Sequence, residues 1–216
     1  RRAGRAGRMM APMSYCKRAF GIALLVILWS AVATPAIAGS EDPARFVKSL
    51  GDRAIMILSD ESSTPESRKM AYRDLLNEGF AVNTIGRFVL GRYWRVATDD
   101  ERSEYLGLFR SFVLDTYAAR LDSFTGETFQ VIQTQPIDDK DTIVSTEIGG
   151  SDGPPIRVDY RVRSHEGTNK IVDVLVEGIS LIVTQRSEFA SVINREGFEG
   201  LMDRLRQYKI GDSAAN

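Results

Sequence analysis

Apolar positions along this chain follow two different periods. Between about 42 and 121 they recur every three or four residues, the helical repeat; between about 128 and 177 they alternate, the strand repeat. The first helix is expected from Asp42 to Leu58, with Phe46, Val47, Leu50, Ala54, Ile57 and Leu58 on one stripe. Ser40 is the expected cap, and Pro43 sits where its missing N–H costs nothing. A second helix starts at Thr64-Pro65-Glu66 and stops at Gly79; a third runs from Val82 to Leu90, carries Ile85, Phe88 and Val89, and ends at Gly91. The fourth opens on a capping box, Thr98 to Glu101, whose acidic residues suit the positive end of a helix dipole. From there Tyr105, Leu106, Phe109, Phe112, Val113, Thr116 and Tyr117 keep helical spacing to about Leu121, a wide stripe rich in aromatics.

Four strands follow: Thr128 to Gln133, Thr142 to Ile148, Ile156 to Arg163 and Lys170 to Glu177. The third alternates strictly, with Ile156, Val158, Tyr160 and Val162 apolar and Arg157, Asp159, Arg161 and Arg163 polar, so one face is dry and one wet. In the fourth, Val172, Val174 and Val176 are expected on one side. Short turns between the strands imply an antiparallel meander. A closing helical segment spans Ser187 to Tyr208, with a break at Gly197. Helices, then strands, then a helix predict an α+β fold. The architecture is a curved antiparallel sheet of about four strands covered by helices, an NTF2-like cone. No repeat or linker divides residues 39–216, which read as a single domain. Helices packed fully on the dry face would make a core; helices standing off it would leave an apolar cavity. The two largest apolar surfaces are Val158, Tyr160 and Val162 on the sheet and Phe109, Phe112, Val113 and Tyr117 on the fourth helix. They are expected to face one another across a pocket, with Trp94 near one end.

The N-terminus reads as an export signal: Lys17 and Arg18 precede an apolar run from Ala19 to Ala33, and Ala36-Ile37-Ala38 offers a cleavage site. Residues 1–38 are expected to be removed, giving a periplasmic protein. The run is short of the about 20 residues of a bilayer span. Its removal takes away Cys16, so the remainder relies on an ordinary core rather than disulfides. Residues 39–216 hold 22 basic against 29 acidic residues, a net charge of about −7. Bulk electrostatics therefore draws it neither to nucleic acid nor to anionic lipid surfaces.

Candidate chemistry is sparse. His165 is the single His and falls in a hairpin turn with no second His or Cys to share a metal. The acidic residues Asp99/Asp100, Asp138/Asp139 and Asp141 fall at a predicted helix start and in predicted turns, where carboxylates are expected anyway. No glycine-rich phosphate loop follows a strand. No catalytic residue, metal site or cofactor is expected, although an NTF2-like cone can host enzymes as well as binding modules. A filled-core interaction domain is a third reading.

Two segments carry a family likeness: Gly91-Arg92-Tyr93-Trp94-Arg95-Val96-Ala97-Thr98, and the stretch from Asp173 through Gly178 to Gln185-Arg186-Ser187-Glu188-Phe189. With Phe109 through Tyr117, they resemble the MlaC, or toluene-tolerance, family of periplasmic phospholipid-binding proteins. One departure is Asn169, where that family often has an aromatic residue. The resemblance implies a carrier that holds phospholipid tails in the apolar pocket. It further implies docking to an inner-membrane ABC transporter complex and an outer-membrane lipoprotein complex. A hopanoid-associated relative makes a terpenoid lipid the alternative cargo. The expected lipid contacts are Phe88, Trp94, Phe109, Phe112, Val113, Tyr117, Val144, Val158, Tyr160, Val162 and Val174.

Overall fold

The computed structural model describes residues 42–118, 126–150 and 153–214, with side chains through Tyr208. The expected signal peptide and the end of the fourth helix near Leu121 lie outside these residues. The helices are α1 (Pro43–Leu58), α2 (Pro65–Gly79), α3 (Val82–Leu90), α4 (Asp99–Ala118) and α5 (Leu181–Ala214). Five strands, β1 (Thr128–Pro136), β2 (Asp141–Gly149), β3 (Ile156–His165), β4 (Thr168–Val176) and β5 (Ile179–Ser180), form one antiparallel sheet in sequence order. The fold is the expected α+β arrangement, with one short strand more than the pattern predicts. None of the described helices is long and apolar enough to cross a membrane.

Local chemistry sets the helix starts. Asp42 caps α1 by accepting from the Ala44 N–H at 3.2 Å, ahead of Pro43; the expected cap, Ser40, lies outside the described residues. Thr64 caps α2 through the Ser67 N–H. The capping box at α4 is reciprocal: the Thr98 N–H donates to Glu101 Oε2 at 2.6 Å, and the Glu101 N–H donates to Thr98 Oγ1 at 3.3 Å. Ser180 Oγ accepts from the Val183 N–H at the start of α5, so α5 begins well before the expected Ser187. Gly197, at φ 76°, breaks α5 as its position predicts. After α3 the chain does not simply end a helix at Gly91. It winds into a 3₁₀ turn, Gly91–Arg95, that periodicity did not reveal.

Two bulges shape the sheet. Ile132 is the extra residue of β1, between the pairs Val131–Thr146 and Gln133–Ser145. Val172 is the extra residue of β4: Arg161 pairs with Asp173, but Val162 pairs with Ile171. A bulge bends its strand and shifts the side-chain alternation by one. Strict alternation would turn Val172 inward; the bulge turns Ile171 inward instead, and it is 1% exposed. The polar face of β3 meets buried Asp141, which accepts from Arg163 Nε at 2.7 Å and Arg161 Nε at 2.8 Å.

The core is divided. One cluster joins α3, α4 and α5 around Val89, Leu90, Tyr105, Phe109, Phe189 and Leu201. A smaller one joins α1 to the sheet through Val47, Val144, Val162 and Ile171. Phe80, in the α2–α3 connection, packs on both. The same connection is pinned to the sheet, where the Ala81 N–H donates to the Ile171 carbonyl at 2.9 Å.

Candidate functional site

Between the two core clusters the helices stand off the sheet and leave two apolar lobes. The first has a volume of about 480 Å³ and lies between α1, α2 and the sheet. Its walls include Leu50, Ala54 and Leu58 from α1, Leu75 from α2, and Phe129 and Ile171 from the sheet. The second, about 570 Å³, lies between α3, α4, α5 and the sheet. Tyr72, Leu76, Phe80 and Tyr160 line both lobes and form a shared waist. The β4 bulge sorts the sheet wall, sending Ile171 to the first lobe and Val174 to the second.

The waist carries two phenols, Tyr72 and Tyr160. Burial pushes the Tyr160 phenol well above its ordinary pKa, and neighbouring Tyr72 adds to the effect. Burial, and then Tyr117, does the same to Tyr72. These phenols stay neutral across physiological pH and offer hydroxyls rather than charge. Charged lining residues are Glu127 in the first lobe, and Asp173 and Glu188 in the second; among the described residues no Lys or Arg lines either. Asp173 is held in place by the Ser180 hydroxyl, which donates to its carboxylate at 2.8 Å. Glu188, Thr184 and Gln185 mark the polar edge of the second lobe, where α5 begins.

Six of the eleven expected contact residues come together on the second lobe: Phe109, Phe112, Val113 and Tyr117 from α4, with Tyr160 and Val174 from the sheet. The other five lie elsewhere. Val144, Val158 and Val162 face the dry side as alternation predicts, but they are 0%, 6% and 0% exposed; α1 packs over Val144 and Val162 through Val47, and Val158 is buried outside both lobes. Phe88 points away from the cavity and is 47% exposed, with the Arg186 guanidinium 4.9 Å above its ring. Trp94 lies in the 3₁₀ turn between Arg87 and Arg102, outside both lobes. The first lobe went unread, although the α1 stripe carried its signal. Leu50, Ala54 and Leu58 are more apolar surface than the small α1 cluster uses. His165 is exposed at the β3–β4 turn. The described residues hold no cluster of His, Cys, Asp and Glu able to bind a metal.

The fold has known counterparts. A phospholipid-binding protein from Ralstonia solanacearum, solved in complex with a phospholipid, shares the fold with a TM-score of 0.67 at 24% identity. That match covers 77% of this chain and 96% of the other. The intermembrane phospholipid transport system binding protein MlaC of Haemophilus influenzae is 21% identical over 126 residues, 56% of this chain and 59% of that protein. The toluene tolerance protein ttg2D of Pseudomonas putida is 25% identical over 149 residues, 65% of this chain and 69% of that one. The chain thus spans little more than half the length of the Haemophilus relative. The family model of the MlaC protein matches residues 48–207, from within α1 to the second half of α5, and by that match the chain belongs to the MlaC family.

Proposed function

We propose that this protein is a periplasmic phospholipid carrier that holds one acyl chain in each lobe. It takes lipid from one membrane complex and passes it to another, docking to an outer-membrane lipoprotein complex and an inner-membrane ABC transporter complex. The observation that carries the reading is the pair of apolar lobes joined at a waist. Lobes of about 480 and 570 Å³ are each on the scale of one acyl chain, and the two are similar in size. Two flexible tails can part at the waist; a rigid fused-ring terpenoid would occupy one lobe and leave the other empty. Each buried methylene is worth about 0.8 kcal/mol, so two chains gain on the order of 20 kcal/mol against water. A bilayer offers nearly the same, and transfer between bilayer and carrier stays close to balance, as a carrier requires. Export follows from the apolar run and Ala36-Ile37-Ala38, with residues 39–216 as one lipid-binding domain.

Native mass spectrometry of protein purified from the periplasm tests the reading. The expected species begins at Gly39 and carries one two-tailed phospholipid. Lipid-free protein from every preparation, or a terpenoid as the sole cargo, would overturn it.

A further inference from the structure

One of the segments that carry the family likeness, Gly91 to Thr98, lines neither lobe. Its side chains build an outer face with α3 and α5. Arg87 and Arg102 lie over the Trp94 ring at 5.1 and 5.5 Å, Arg92 over Tyr93 at 4.9 Å, and Arg186 over Phe88 at 4.9 Å. Arg102 is anchored by the Trp94 carbonyl and by Asp99. Arg92 donates to Tyr93 Oη and Asn194 Oδ1. Gly91 makes the packing possible: it adopts φ 61°, and a Cβ there would come within 3.0 Å of the Arg186 guanidinium. Phe88 and Val96 add exposed apolar surface, at 47% and 80%. Among the described residues Arg87, Arg92, Arg95 and Arg186 have no carboxylate partner. Arg45, Arg68, Arg110 and Arg195, scattered elsewhere, also have none, whereas Arg53, Arg73, Arg102, Arg157, Arg161, Arg163, Arg204 and Arg206 do, so what sets this face apart is that its unpaired guanidiniums gather with aromatic rings.

We infer that this face docks an acidic protein surface of a membrane complex. Unpaired guanidiniums on aromatic rings are oriented, weakly hydrated forks that match carboxylates two atoms at a time. Arginine, tyrosine and tryptophan are also the residues that dominate protein interfaces. An anionic bilayer is the poorer match, because residues 39–216 carry a net charge of about −7 and are repelled at a distance. The face also lies beside the edge of the second lobe. Gln185 lines the lobe and Arg186 belongs to the face; Val89 lines the lobe and Phe88 belongs to the face. A partner bound here touches the two helices that wall the lobe, and lipid leaving between them meets protein rather than bulk water.

The choice of probe rests on the carrier reading; the face and its chemistry do not. The purified ABC transporter and lipoprotein complexes, in nanodiscs of zwitterionic lipid, are tested by interferometry against the parent and Arg92→Glu/Arg186→Glu. The double variant is expected to bind at least one complex about tenfold or more weakly. The parent's binding should weaken as salt rises from about 50 to about 300 mM. Bound lipid, measured by extraction, should be unchanged. If the double variant does not fold, Arg95→Glu/Val96→Glu, at exposed positions, should show at least about a fivefold loss. Parent-like binding by the folded variants, no binding by the parent to either complex, or charge-dependent binding to phosphatidylglycerol vesicles instead would each overturn the inference. A parent that docks through this face but never carries lipid would sink the carrier reading alone.

Discussion

The two-lobed cavity and the arginine–aromatic face use the same helices in opposite ways. On α3, Val82, Ile85 and Val89 turn inward to the second lobe, while Arg87 and Phe88 turn out. On α5, Ile182 and Gln185 line the lobe, while Arg186 lies outside it. Inside, the requirement is area and space: any apolar side chain of suitable volume serves. Outside, the requirement is placement, since each guanidinium is set by a ring, a carbonyl or a glycine. A short segment with distinctive residues can therefore lie on the outside of the helices that wall the cavity.

The largest expected effect comes from the support the two regions share. Phe189 is buried between them and meets Tyr105, Phe109 and Phe112 at ring distances of 5.9 to 6.5 Å. Phe189→Ala should cost about 3–5 kcal/mol by urea denaturation. It should lower lipid content and partner binding together. Loss of one with the other intact would show that the regions stand on separate supports.

A tryptophan pair sharpens the difference between cavity and closed core. Val158 is 6% exposed and lines neither lobe, so Val158→Trp overpacks solid structure and should cost about 1–3 kcal/mol. Val113 lines the second lobe, so Val113→Trp should fill free space, lower bound lipid several-fold and leave the melting temperature nearly unchanged. The opposite ranking in melting temperature, with lipid retained in Val113→Trp, would move the cavity wall to the other residues.

The same contrast explains what could be read from the residues alone. Helix starts, the meander, the break at Gly197 and the aromatic stripe of α4 were legible because capping and periodicity are local. Val144, Val158 and Val162 were rightly turned to the dry face, but alternation cannot say whether that face is covered at each point along a strand. The bulge at Val172 was hidden for the same reason: it exists only in the pairing with β3. Phe88 and Trp94 looked like cavity residues because aromatics usually bury themselves. What holds them outside is three arginines from three elements, Arg87, Arg102 and Arg186, a long-range fact. Tyr72 lies in a mostly polar helix where periodicity gives no inward stripe, yet it forms the waist with Tyr160.

A third arginine group sets the lower end of the scale. Arg161 and Arg163 share one carboxylate, Asp141, on the sheet's outer side, and so contrast with the unpaired Arg92 and Arg186. Hydrogen bonding from Arg163, and then from Arg161, holds the Asp141 carboxyl below its ordinary pKa despite partial desolvation. A carboxylate depressed in the folded state adds stability that is fully present above its unfolded pKa of about 3.9. That stability is lost as pH falls through the lower folded value. The parent should therefore shed this contribution only below about pH 4. Arg161 and Arg163 are 39% and 42% exposed, so solvent screens the pairs, and Asp141→Asn should cost about 1 kcal/mol or less at pH 7. Urea midpoints at about pH 7, 5 and 3 should show the gap between parent and Asp141→Asn closing only at the most acidic point. Lipid content and partner binding at neutral pH should match the parent, because these two arginines already have their anion. A variant that lost partner binding while keeping its lipid would extend the docking face onto the sheet and erase the distinction between paired and unpaired arginines.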